Sequence, residues 1–164
     1  MQGGAERIEI LALPHGATPL VGLRLSVRIT EGEAEAGAGW IIARLAQRRV
    51  AEAARRLGAA ASIRRTTHGI AYTVVGPRTD FDYLAYLLRL ATSVPERHLV
   101  EDARRELADA LDGLLETGPG QVELELRERT AETPPTSGTA ASIPALDADL
   151  VLGVWARTHR SSRM

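Results

Sequence analysis

The chain has 164 residues, 45% of them hydrophobic, with 20 basic against 21 acidic side chains and no cysteine. That length and apolar content suit one domain with one core over residues 1–164. The net charge of -1 gives no field to draw in a polyanion, and the missing thiol excludes disulfides, thiolate metal sites and a cysteine nucleophile.

No run approaches the roughly 18 apolar residues of a membrane span. The opening "MQGGAERIEILALPHG" has no basic segment ahead of a long apolar core, so the expectation is a cytoplasmic protein. Every basic residue is an arginine, which fits GC-rich coding in a bacterial source.

In chain order, "RIEILALPHG" and "LVGLRLSVRIT" read as two strands joined by a turn between Pro14 and Pro19. In the second, Leu23, Leu25, Val27 and Ile29 alternate with Arg24, Ser26, Arg28 and Thr30, the period of a strand with one buried face. A helix is predicted from Gly37 to Leu57, with Ile42, Ala46, Val50, Ala53 and Leu57 at helical spacing and Gly58 as terminator. "AAASIRRTTHGIAYTVVG" reads as one or two strands, with His68, Ile70, Tyr72 and Val74 on one face and Gly76-Pro77 ending the run.

"TDFDYLAYLLRLATS" is a short helix that Thr79 or Asp80 can cap. Ser93 and Glu96 have the spacing of a capping box, and the following helix places Leu99, Ala103, Leu107, Leu111 and Leu114 on one side. Residues Gly118 to Thr133 are open between helix and strand, "TPPTSGTAAS" is a turn-rich loop, and a last helix starts at Asp147. The order predicts an α+β fold: helices packed on one face of a mostly antiparallel sheet. The pairs Arg48-Arg49, Arg55-Arg56 and Arg64-Arg65 are broken up by Glu52 or apolar residues, with few aromatics for base stacking. They read as a solvated helix face, with no nucleic-acid partner expected.

Several stretches together resemble the M16 metallopeptidases, the insulinase and mitochondrial-processing-peptidase superfamily. They are "LRLSVRITEGEAEAG", "LGAAASIRRTTHGIAYTVVG", "PERHLVEDARRELADALDGLL" and "PPTSGTAASIPALDADLVLGVWARTHRSSRM". The likeness runs from about Leu20 to Met164 and implies that the family's last strands are missing beyond "HRSSRM". An unpaired sheet edge would follow, and with it self-association or a partner.

In active members the helix after the Glu-Gly loop carries GxAHxxEH, two histidines on one face for one zinc and a glutamate as general base. Laid on "GAGWIIAR", the motif matches Gly37 and puts Trp40 and Arg44 at the histidine positions and Ala43 at the base. An arginine has no lone pair to give zinc, an indole N–H only donates, and alanine cannot titrate.

The remaining histidines, His15, His68, His98 and His159, have no metal-ligand spacing, and His68 reads as a hydrogen-bonded, partly buried residue. Glu101, Asp102, Glu106 and Asp109 lie in the helix region where the resemblance places the distal zinc ligand. Without the histidines they read as a polar face. No metal and no cofactor is therefore expected.

The resemblance implies a catalytically inactive M16-like subunit that pairs with a zinc-bearing homologue. On this reading Trp40 supplies an apolar contact to a peptide substrate, and Arg44 and Arg48 donate to its carboxylates or carbonyls. The alternative is a peptide-binding scaffold that has left proteolysis and takes a segment by strand addition. No phosphate loop and no Ser-His-Asp arrangement stands out.

Overall fold

Alternation in "LVGLRLSVR" does what its period predicts. β1 (Leu20–Arg28) half-buries Val21, Leu23, Leu25 and Val27 and exposes the residues between. The computed structural model describes residues 18–119, 121–122, 138 and 142–159. The strand expected within 7–16 lies outside them, as does most of the ambiguous segment before Thr133. Its described members 118–119 and 121–122 are helical.

α1 (Ala38–Arg56) follows a single 3-10 turn at Glu33–Glu35. β2 (Ala60–Thr66) and β3 (Gly69–Pro77) then form a hairpin, so the "AAASIRRTTHGIAYTVVG" stretch is two strands. α2 (Phe81–Ala91), α3 (Val100–Leu115) and α4 (Ala148–Thr158) are the other long helices. The sheet order is β1-β3-β2 with both pairs antiparallel.

The apolar face of the central strand puts Ile70, Tyr72 and Val74 under the helices, each at most 1% exposed. Ile41, Ile42, Leu45 and Val50 of α1 pack onto that face together with Ile63, while Leu84 and Leu87 of α2 cover Val74. Each such side chain contributes about 1.5–3 kcal/mol by leaving water. Leu107 and Leu111 of α3 and Val151 and Val154 of α4 join the same cluster. The helices thus occupy one face of an antiparallel sheet, the expected α+β arrangement.

Polar side chains fix how the layers meet. Gln47 of α1 donates its amide to the carbonyl of Ala61 at 3.1 Å and accepts the N–H of Ile63 at 2.7 Å, filling the edge of β2 that no strand pairs among the described residues. An edge so occupied cannot template further pairing there. Arg49 donates from Nη1 to the carbonyl and hydroxyl of Ser93 at 2.9 and 2.7 Å and from Nη2 to the carbonyl of Val94 at 2.8 Å. Its guanidinium satisfies carbonyls just past the end of α2, where a cation is favoured.

Four local expectations are corrected. Ser93 does not open α3: its hydroxyl donates back to the Leu90 carbonyl at 2.7 Å, and a 3-10 turn at Arg97–Leu99, with Glu96 before it and no side-chain cap, precedes α3. A closer acceptor on α2 and the Arg49 donor outcompete the capping box. Asp80 stands at the α2 N-cap position without a side-chain cap bond.

His68 falls in the β2–β3 turn and is exposed rather than partly buried on the strand face. The arginine pairs are not one solvated helix face. Arg64-Arg65 lies on a strand, whose two-residue period sends the neighbours to opposite faces, and Arg49 is only 13% exposed. Gly58 (φ 64) and Asp147, which accepts the N–H of Leu150 at 2.8 Å, do terminate α1 and start α4 as their residue types predict.

Candidate functional site

The first turns of α1 are built around Gly37 and Gly39. Gly37 takes φ 101, a left-handed conformation open to glycine, and a side chain there would meet Leu107 and Leu146 at 3.0 and 3.1 Å. Gly39 donates its N–H to Glu31 Oε1 at 2.7 Å, so a carboxylate from the preceding loop sits at the positive end of the helix. Glu31 is in turn paired with Arg65 Nη2 at 2.6 Å, with the two side chains 4% and 7% exposed. Arg65 also donates to the Gly69 carbonyl at 2.9 Å, while its Nε is buried without a partner. This buried ion pair ties the start of α1 to the hairpin turn, and breaking one side would leave a charge uncompensated.

The face that follows carries the positions singled out from sequence. Trp40 is half-buried and packs against the main core. Ala43, at the base position, is 4% exposed and belongs to that core. Arg44 and Arg48, one turn apart, both reach Glu106 of α3: Arg44 Nε donates to Oε2 at 2.9 Å and Arg48 Nη2 pairs with Oε1. One carboxylate thus faces two guanidiniums, leaving the cluster with one surplus positive charge. The three side chains remain 47%, 36% and 35% exposed, so a ligand can reach them.

Of the four carboxylates grouped from sequence, Glu106 alone meets this face. Glu101 pairs with Arg104, a bidentate contact that holds its carboxyl below the ordinary range, and with Arg105, which also meets Asp102. Among the described residues no group of three or more His, Cys, Asp or Glu is placed to hold a metal ion.

A further polar cluster lies away from the α1 face. His159, at the end of α4, is 3% exposed and lies 2.8 Å from the Tyr72 hydroxyl through Nε2 and 2.8 Å from the Thr158 hydroxyl through Nδ1. Its ring stacks on Trp155 at 5.4 Å with planes 8° apart. Burial lowers its pKa to about 4 and raises that of Tyr72, so both are neutral near pH 7. The signal in the sequence was the four-residue spacing of Trp155 and His159 on one helix face. His98, by contrast, is exposed, 3.8 Å from Glu96.

No family model and no curated protein sequence matches the chain. Among solved structures it is similar to the inactive domain of a peptidase M16 from Pseudomonas fluorescens, with TM-score 0.67 and 15% identity over 85% of this chain and 38% of that one. It is also similar to the ferredoxin protease FusC, in a mutant form bound to Arabidopsis ferredoxin, with TM-score 0.58 and 17% identity over 84% of this chain and 17% of that one. The chain has the fold of an M16 peptidase domain and spans well under half the length of either structure.

Proposed function

We propose that the chain is a non-catalytic M16-like subunit that pairs with a zinc-bearing homologue and offers the Trp40, Arg44 and Arg48 face to a peptide substrate. The observation that carries this reading is the exchange of chemistry on α1. Where the zinc motif would put two imidazoles and a carboxylate, this chain has an indole packed on the core, a buried methyl and a guanidinium. The carboxylate opposite is neutralised by arginines, the role a cation would otherwise fill.

The surplus positive charge and the exposed arginines suit a peptide carboxylate or carbonyl, and Trp40 gives it an apolar border. The similarity to an inactive M16 domain supports the reading at the level of the fold. Co-expression with a homologue that carries the intact motif, followed by a peptide-cleavage assay, tests it. Cleavage that needs both chains and stops with chelator is expected, and cleavage unaffected by omitting this chain contradicts it.

A second reading, a scaffold that takes a peptide by strand addition, has its own support in β1, which pairs with β3 alone among the described residues. A scaffold would bind its peptide with chelator present and without the homologue.

A further inference from the structure

The sheet face turned away from the helices has a composition of its own. Its rows, read across β1, β3 and β2, are Leu20 and Pro77; Gly22, Val75 and Ala60; Arg24, Thr73 and Ser62; Ser26, Ala71 and Arg64; and Arg28, Gly69 and Thr66. Arg24, Arg28 and Arg64 are all exposed, and none has a salt bridge or hydrogen bond among the described residues. No acidic residue stands in these rows.

With strands about 4.8 Å apart and a rise of about 3.3 Å per residue, the three Cα atoms form a triangle with sides of roughly 12–13 Å. The floor between them is small residues and hydroxyls. The chain as a whole has a net charge of -1, whereas these rows hold three arginines and no carboxylate.

We propose that this face docks an acidic polypeptide segment, held by Arg24, Arg28 and Arg64 through its carboxylates. An extended segment with carboxylates four residues apart spans about 13 Å, the spacing of Arg24 and Arg28, and a neighbouring one reaches Arg64 across Ala71. Guanidiniums engage carboxylates in bidentate pairs, and the exposed Ser26 hydroxyl, between Arg24 and Arg28 on the same strand face, can add a bond to the segment. A nucleic-acid strand fits less well, because these rows contain no aromatic ring on which a base could stack. The proposal stands apart from the α1 face and does not depend on the subunit reading.

The test uses the full chain and a fluorescein-labelled deca-glutamate peptide in an anisotropy titration, with a thymidine decanucleotide and phosphatidylserine vesicles as parallel probes. The expected result is saturable peptide binding that weakens with added salt and falls at least tenfold in Arg24→Gln/Arg28→Gln/Arg64→Gln. Arg78→Gln/Arg89→Gln, which removes two exposed arginines outside these rows, should stay within twofold. Circular dichroism checks that the variants fold, and single substitutions replace the triple one if it does not. No peptide binding, equal loss in the control variant, or stronger binding of the oligonucleotide or vesicles through the same arginines would overturn the proposal.

Discussion

Tyr72 and His159, 87 residues apart in sequence, meet in the interior with the phenol oxygen 2.8 Å from Nε2. The contact joins the middle of the central strand to the end of α4, and the burial of His159 there makes the fold sensitive to acid. With its pKa lowered by burial from 6.5 to about 4, His159 stays neutral in the folded chain while the unfolded chain protonates near the ordinary value. Between those two values the unfolded state binds more protons, so stability falls as pH drops through that window and this group adds no further loss below it. The full loss is about 3 kcal/mol. Urea midpoints measured from pH 7 to 4 should show the decline, and His159→Gln should flatten it.

Gly39→Ala puts back the residue of the zinc motif, yet it should destabilise this chain. A Cβ there would lie 2.7 Å from Arg65 Nε and 3.0 Å from its Cδ, and the ion pair with Glu31 prevents that side chain from yielding. A loss of about 1–3 kcal/mol in urea unfolding is expected. Gly113→Ala in α3, with nothing within 4 Å of the new methyl, should instead gain up to about 1 kcal/mol.

Gln47→Ala removes both bonds to the β2 edge and leaves the Ala61 carbonyl and Ile63 N–H without their partner. A loss of about 1–3 kcal/mol follows. Amide exchange at Ile63 should quicken in this variant.

Ala43→Glu would return the general base to its motif position but place a carboxylate where the methyl is 4% exposed in the core. A destabilisation of about 2–4 kcal/mol is expected, read from thermal melting at pH 7. A smaller loss at pH 4, where the carboxyl is neutral, would identify charge burial as the cause.

The fold and the layout of α1 are legible in the sequence where local chemistry decides. Alternation in β1, the glycine stop at Gly58 and the Asp147 cap each act within a few residues, and the positions of Trp40, Ala43 and Arg44 follow from helical spacing. What was missed depends on distant partners. Arg64-Arg65 looks like one basic unit until a strand separates it, with Arg65 buried against Glu31, 34 residues away. Ser93 was drawn to α2 by Arg49, and His159 gained its environment from β3. The burial of Ala43 is likewise set by tertiary packing, which the motif's spacing does not contain.

Pairing of this chain with a zinc-bearing homologue, as proposed, can be read from mass by light scattering of the purified chain, alone and co-expressed with a homologue that carries the intact zinc motif. A stable complex holding both chains, with zinc on the homologue, is expected. A folded monomer or homodimer that leaves the homologue unbound would contradict it.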